Sequence, residues 1–235
     1  MLIRNLIESR YAEQTKFFEQ SEGFQHLVSG VANIKFYDEF IANLCKTHLK
    51  SPQILAFLYA AAPPTVANTI QHNMLEELGF DAEGICHPDL LRKLASAVGL
   101  DNAKQAQIEA SSQAELHKMC SEPMLYGTLK ELALSVLLEV TCFEWMLSRL
   151  SGKMGIALQQ YRKLEKESLE WFFHHSEVDI RHAEEGLDSV VNYVEYYGFE
   201  IDDLKTILDI TFRENIFIKR YFGEIALAKE TEMLT

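Results

Sequence analysis

Apolar residues recur at helical spacing along almost the entire chain. In the first helix that this spacing predicts, the apolar stripe consists of Leu2, Ile3, Leu6, Ile7 and Tyr11. No run of residues alternates apolar and polar side chains between turn signals, as the strands of a half-buried sheet would. We therefore predict an all-α fold, a helical bundle of seven to eight helices that forms a single domain over residues 1–235.

The composition agrees with a helical globular protein and excludes several other classes. Only 11 Gly and 5 Pro occur among 235 residues, which favours helices over irregular structure. Because 48% of the residues are hydrophobic and 24% are charged, the chain can form a core, and intrinsic disorder is excluded. The net charge of -13 repels nucleic-acid phosphates and anionic lipid, so we expect neither nucleic acid nor a membrane as a partner.

Neither the cysteines nor the amino terminus indicates export. The four cysteines are far apart and form no Cys-x-x-Cys pair, which argues against a zinc ribbon and a disulfide framework. The first residues lack the apolar segment of a signal peptide, and no run approaches the roughly 18 apolar residues of a membrane-spanning helix. We expect a cytoplasmic protein with reduced thiols.

Breaker residues predict the ends of the helices in the second half of the chain. Ser151-Gly152 is expected to end a long helix over residues 123–150. The next helix is expected over residues 154–194, with a break near Lys166, and the last over residues 201–228. The first two of these helices carry polar residues that suggest a chemical role.

The most specific polar pattern is formed by His175, Asp179 and His182. These residues lie at i, i+4 and i+7, so a helix places all three on one face. The neighbouring Trp171 and Phe172 are apolar, which predicts that this helix is largely buried. Buried titratable groups are unfavourable unless they pair or bind a metal, and this set suits iron, manganese or zinc. The alternative is a solvated stripe with a chance ion pair.

A second candidate is Glu139, a lone acid within an apolar helical turn. An unpaired carboxylate in such a place raises its pKa or finds a cation. The alternative is an ion pair with an Arg or Lys of another helix. Glu144 lies about 140° further round the helix, so the two acids cannot both face one site. We prefer Glu139, because the small residues Ala133 and Ser135 allow another helix to approach closely, and we keep Glu144 as the alternative.

The third candidate combines Glu76, near the end of one predicted helix, with His87, at the start of the next. Glycines in the interval between them allow the chain to fold back and bring the two side chains together. His72, one turn before Glu76, and Glu83, four residues before His87, are competing ligands. The alternative is a solvent-facing acid at a helix end and a capping histidine.

Together these candidates provide enough nitrogen and oxygen ligands for two iron ions. Helical bundles build di-iron carboxylate sites from such groups. A ferritin-like site would need two Glu-x-x-His pairs, which the chain lacks. The six predicted metal ligands are Glu76, His87, Glu139, His175, Asp179 and His182.

Three stretches resemble a known family. They are NMLEELG followed by HPDLL, then LALSVLLE, then FFHHSEVDIRHAEEG. In this order they are similar to the haem-oxygenase-like superfamily, which includes TenA-type thiaminases and the pyrroloquinoline-quinone synthase. More narrowly, they resemble the haem-oxygenase-like di-iron oxidases. The resemblance covers roughly residues 22–225, in the arrangement expected for that superfamily.

The resemblance implies a function and a division of the ligands. Glu76, His87 and one carboxylate would hold one iron, and His175, Asp179 and His182, with Glu139 bridging, would hold the second. Such non-haem di-iron enzymes use O2 to oxidise a small amine, amino-acid or fatty-acid-like substrate, and the fold often forms a homodimer.

Two features bear on the alternatives within that superfamily. The branch that makes p-aminobenzoate from its own side chains has a Tyr directly before the bridging Glu, where this chain has Leu138. The alternatives are a metal-free TenA-like or pyrroloquinoline-quinone-synthase-like enzyme, which would leave the predicted ligand set unexplained, and a non-catalytic small-molecule-binding protein of the same fold.

Overall fold

The computed structural model describes residues 2–82, 84–121 and 127–223. These residues are almost entirely helical, and no strand occurs among them, which confirms the all-α fold. The helices are more numerous than predicted. They are α1 Leu2–Gln20, α2 Glu22–Ser29, α3 Ile34–His48, α4 Ser51–Ala61, α5 Pro64–Glu77, α6 His87–Ala97, α7 Asn102–Ser121, α8 Leu129–Ala157, α9 Glu170–Tyr197 and α10 Ile201–Thr211. Residues 216–223 are also helical. The single-domain organisation over residues 1–235 stays a prediction.

The prediction that Ser151-Gly152 ends the long helix is wrong. Within the described part, α8 begins at Leu129 and continues through both residues to Ala157. Ser151 is fully buried and donates a hydrogen bond from its hydroxyl to the Leu147 carbonyl, so it is compatible with the helix. The predicted start at 123 lies outside the described residues.

The predicted break near Lys166 is confirmed. After α8 the chain forms a π-helical turn over Leu158–Arg162, and Lys163 takes the left-handed conformation. A short 3-10 helix over Lys166–Leu169 then leads directly into α9. This connection lets α9 return along α8.

The last predicted helix is divided into two. α10 ends at Thr211, and the helical segment 216–223 begins after Asn215, whose side-chain oxygen accepts a hydrogen bond from the Ile218 amide at 3.0 Å. The periodicity predicted continuous helix here because the apolar stripe continues across the break. Residues 224–228 lie outside the described part of the chain.

The most extensive helix–helix interface lies between α8 and α9. Two glycines allow these helices to approach closely. A Cβ atom on Gly186 of α9 would lie 2.7 Å from Cγ2 of Thr141 on α8, and one on Gly155 would lie 3.0 Å from Cβ of Phe172. α5 packs on α9, and α4 packs on both α5 and α8. No helix in the described residues is long and apolar enough to cross a membrane.

The close approach at Gly186 predicts a measurable difference between two glycines. Gly186→Ala forces its methyl group against Thr141, which is held by hydrogen bonds to Tyr11 and to the Leu137 carbonyl. We expect urea unfolding to show a stability loss of about 1–3 kcal/mol. Gly152→Ala meets only ordinary contact with Ser176 at 3.6 Å, so it should gain about 0.5–1 kcal/mol. Equal shifts in the two variants would contradict this packing.

Candidate metal centre

The end of α5 and the start of α6 place an acid and an imidazole side by side. Glu77 is the last residue of α5, and His87 is the first residue of α6. The intervening segment folds back through Gly79, which has φ +73, and through a β-bridge between Leu78 and Cys86. As a result, Nδ1 of His87 lies 2.9 Å from Oε1 of Glu77.

These two side chains meet His175 of α9 in one buried cluster. Ligand atoms of Glu77, His87 and His175 all lie within 4.8 Å of one another, and the rings of the two histidines are 4.7 Å apart. His87 and His175 are among the ligands predicted from the sequence, but the predicted acid was Glu76 and the acid in this cluster is Glu77. Consecutive helical residues point about 100° apart, so only one of the two acids can face His87.

Glu76 faces a different pair of α9 residues. Its Oε2 lies 2.9 Å from Nε2 of His182, and its Oε1 accepts a hydrogen bond from Arg181. Nδ1 of His182 in turn lies 3.4 Å from Oδ1 of Asp179. His72 lies on the outer side of this group, half-exposed, with Nε2 3.6 Å from Glu76 Oε1. Glu83, the other alternative ligand, lies outside the described residues.

The three α9 residues share a buried face, as their spacing predicts. His175, Asp179 and His182 are each at most 5% exposed, so they do not form a solvated stripe. Oδ2 of Asp179 is buried and has no hydrogen-bond partner among the described residues. Because a buried acceptor without a partner is unfavourable, this oxygen is suited to bind a cation.

The structure brings Glu144, the alternative acid of α8, towards this group. Its Oε1 accepts a hydrogen bond from Asn73 at 2.6 Å, and a cavity of about 20 Å³ lies between Asn73, Glu144, His182 and Gly186. Burial raises the pKa of Glu144 to about 8; Asp179 adds to the rise and His182 opposes it. A cavity of this size holds one water molecule or small ion.

Glu139, the preferred acid of the sequence analysis, lies in an ion pair instead. Its Oε1 is 2.5 Å from the Arg220 guanidinium, which packs over the ring of Phe143. This is the alternative considered for a buried acid, a partner from another helix. The small residues before Glu139 do not decide which acid faces α9, because that depends on the rotation of α8 against α9, where Thr141 meets Gly186.

In the cluster of Glu77, His87 and His175, the acid and one imidazole have the charge states that favour binding of a cation. Burial alone would raise the pKa of the Glu77 carboxyl, but the charge and hydrogen bond of His87 hold that pKa at about 2. Burial lowers the pKa of His175 well below its usual value, so this imidazole is neutral. Ionised carboxylate and neutral imidazole are the forms that bind metal ions.

His182 carries a proton in the metal-free protein. Burial lowers its pKa, but the hydrogen bond to Asp179 and the charge of Glu144 outweigh burial and raise the pKa to about 10. Burial raises the pKa of Asp179 to about 6, against the opposing effect of His182. A metal ion bound between Asp179 and His182 would replace the proton at Nδ1, while Nε2 keeps the proton that it donates to Glu76.

The backbone fixes which nitrogen of His175 is free. Nδ1 lies 2.7 Å from the Trp171 carbonyl oxygen and, because the oxygen can only accept, Nδ1 donates the hydrogen bond. Nε2 is therefore left with its lone pair, the orientation that metal-binding histidines adopt.

One further histidine lies at this site and is not among the predicted ligands. His174 lies with its Nε2 3.0 Å from Nε2 of His87. Helical spacing gave no signal for it, because a residue next to His175 points about 100° away from it. Only the His-His doublet in the sequence marked the position.

An open pocket gives small molecules access to these imidazoles. It has a volume of about 350 Å³ and borders both His87 and His182. Its remaining polar lining residues are Glu76, Asp81, His174, Glu177 and Arg181. The site therefore has nitrogen and oxygen ligands, an Asp179 oxygen without a hydrogen-bond partner among the described residues, and a pocket through which small molecules can enter. These properties fit a site for transition-metal ions.

The comparison with known families agrees with this chemistry. A family model described as an iron-containing redox enzyme matches residues 38–198, more than half of the chain. The chain belongs to this family. The match confirms the predicted relationship to haem-oxygenase-like proteins and supports an oxidoreductase. A search of curated proteins found no match.

In this member of the family, the matched residues include every side chain of the candidate metal centre. Glu77 and His87 lie in the first half of the match, Glu144 lies in α8, and the α9 residues lie near its end. The geometry of the site is suitable for a metal ion, and the description of the family indicates that this metal is iron. The individual ligands stay predictions.

Proposed function

We propose that the protein is a non-haem di-iron oxidase or oxygenase that uses O2 to oxidise a small amine, amino-acid or fatty-acid-like substrate. Glu77, His87 and His175 would hold one iron, and Asp179 and His182, with Glu144, would hold the other. The observation that carries the proposal is the buried cluster of Glu77, His87 and His175 within the segment that matches iron-containing redox enzymes.

When bound, iron(II) would supply the electrons that reduce O2. The protein's own groups orient the donors and control protons. The Trp171 carbonyl holds His175 with Nε2 free, and Glu77 orients His87 through Nδ1. Phe172 and Trp171, which are almost fully buried, exclude water on one side of the site.

At the pocket side, Glu76 accepts hydrogen bonds from both Arg181 and His182. These contacts hold a proton at Nε2 of His182, next to the space that a substrate would enter. The charged lining favours an amine or amino acid over a fatty acid, because polar groups of a substrate keep partners there.

The expected partners stay predictions. They are a small-molecule substrate and O2, with the protein acting as a homodimer and binding neither nucleic acid nor a membrane. The net charge of -13 supports the last two points.

Metal loading tests the proposal directly. Protein loaded with Fe(II) without oxygen should bind about two equivalents, as di-iron bundles do. Exposure to O2 should oxidise this iron and consume O2 faster with a substrate amine present. His175→Ala with His182→Ala should abolish binding, because it removes buried nitrogen donors from both groups.

His117→Ala is the matched control, because His117 lies exposed on α7, and it should leave iron binding unchanged. Iron binding that survives the double substitution would overturn the proposed site. Absence of iron binding in the unchanged protein would instead favour a metal-free enzyme or a small-molecule-binding protein.

A further inference from the structure

A buried tyrosine and a histidine form a hydrogen-bonded pair beside the candidate metal centre. Tyr221, in the helical segment 216–223, is fully buried, and its hydroxyl lies 2.6 Å from Nε2 of His48 at the end of α3. The two residues are 173 positions apart in the sequence. Neither belongs to the ligand groups, so their pairing needs another explanation.

The proton of this hydrogen bond belongs to the tyrosine. His48 is partly buried, and burial lowers its pKa to about 3, so the imidazole is neutral. Burial also raises the pKa of Tyr221 well above its usual value, so the phenol is neutral too. Nε2 of His48 is the one acceptor that the described residues offer to the Tyr221 hydroxyl. The phenol therefore donates, and Nε2 holds the lone pair.

Aromatic rings connect this pair to a candidate iron ligand. The ring of His48 lies 5.1 Å from that of Trp171, centre to centre. Trp171 in turn lies 4.2 Å from the ring of His175, at an angle of 33°. Neighbouring rings along this path from Tyr221 through His48 and Trp171 to His175 are nearly in contact. An electron can therefore pass from Tyr221 to the candidate iron site through adjacent aromatic side chains.

The surroundings of Tyr221 would protect an oxidised phenol. Its ring packs against Phe18 at 5.5 Å, Phe40 at 5.8 Å and Phe143 at 6.2 Å. These side chains are buried and offer no polar group that would react with a radical. Water, the usual source of side reactions, is excluded from this part of the core.

We propose that Tyr221 is a one-electron donor to the iron site, with His48 as the acceptor of its proton. The inference rests on the proposed function, because the oxidant is the iron site after reaction with O2. Tyr221 loses one electron, which reduces that site by one electron, and the O–H bond breaks as an N–H bond forms at Nε2 of His48. The product is a neutral phenoxyl radical hydrogen-bonded to an imidazolium.

The pair makes this step feasible because electron and proton leave together. A buried phenol does not release its proton alone, and one that lost only its electron would be a strongly acidic radical cation. Transfer of the proton moves the positive charge to the His48 imidazole, where the negative charge of Glu77 favours it. An oxidised phenol is a far stronger acid than a protonated imidazole, so transfer to His48 is favourable although His48 is a weak base. The weak base also returns the proton when the radical is reduced.

Electron paramagnetic resonance of freeze-quenched samples tests the inference. Full-length protein loaded with Fe(II) and mixed with O2 should give a tyrosyl radical signal, which narrows when the tyrosines are ring-deuterated. Tyr221→Phe should lose the signal. His48→Gln keeps a hydrogen-bonding side chain but removes the proton acceptor, and it should also lose the signal while iron still oxidises.

Tyr37→Phe is the matched control. Tyr37 is as deeply buried as Tyr221, but its hydroxyl donates to the Leu27 carbonyl at 3.4 Å, which cannot take up a proton. This variant should keep the radical signal. Retention of the signal in Tyr221→Phe would overturn the assignment to Tyr221, and retention in His48→Gln would overturn the role of His48.

Iron oxidation measured in the same samples separates this inference from the proposed function. Oxidation of Fe(II) by O2 in the unchanged protein without any tyrosyl radical overturns the inference and leaves the di-iron proposal intact. Absence of iron oxidation overturns both. If Tyr221→Phe does not fold, the deuterated protein and His48→Gln still decide the outcome.

Discussion

Replacing Glu144 with glutamine is expected to weaken binding at one of the two metal positions, whereas Glu139→Gln is expected to leave both intact. Glu144 borders the small cavity next to His182, and the charge of Asp179 contributes to its raised pKa. Its loss removes a carboxyl group that would ionise when a cation binds beside it, so we expect a decrease in affinity of at least the roughly 10–100-fold caused by removing an outer partner of a ligand. Anaerobic titration with Fe(II), followed by metal analysis, measures this directly.

Glu139→Gln is a matched control for Glu144→Gln, because both acids lie on α8 and the chemical change is the same. Glu139→Gln breaks the ion pair with Arg220, so it should lower thermal stability somewhat without changing the amount of bound metal. The opposite pattern, with metal lost in Glu139→Gln and kept in Glu144→Gln, would restore the original prediction from the sequence and contradict the geometry.

Metal affinity should rise steeply with pH. His182, with its pKa raised to about 10, holds a proton in the metal-free protein near neutral pH, and Glu77 raises the pKa of His87 against the effect of burial. A metal ion must displace these protons, so binding is weakened below those pKa values and strengthens as the pH rises towards them. Each displaced proton changes the apparent affinity about tenfold per pH unit.

Competition titrations with Co(II) at about pH 6.5 and about pH 7.5 measure this slope, since Co(II) accepts the same donors as iron. Calorimetry in buffers of different ionisation enthalpy gives an independent count of the protons released. An affinity that does not change with pH would mean that metal binding releases no proton from His182 or His87. It would contradict their role as metal ligands.

The helical period predicted one part of the site from sequence alone. His175, Asp179 and His182 share a face because the angle between them depends only on helix geometry, and their burial followed from the apolar neighbours. The choice between neighbouring acids could not be predicted in this way. Glu76 and Glu77 are adjacent in the sequence, and which of them faces His87 depends on how the chain folds back between α5 and α6.

The same limit applies to α8 and to the aromatic pair. Glu144 faces the site because Gly186 lets α9 sit against Thr141, a contact that is absent from any local pattern. Tyr221 and His48 are far apart in the sequence, and each alone resembles an ordinary core residue. The continuation of α8 through Ser151 and Gly152 likewise required knowledge of what packs beside them.

The fold-back between Glu77 and His87 links metal occupancy to local opening of the chain. The two residues lie on either side of a short segment, closed by the hydrogen bond between them and by the Leu78–Cys86 bridge. Separation of α5 from α6 would remove two donors at once, so a bound ion opposes that separation by mass action. The rate at which a protease cuts this segment would therefore report the fraction of molecules that carry metal.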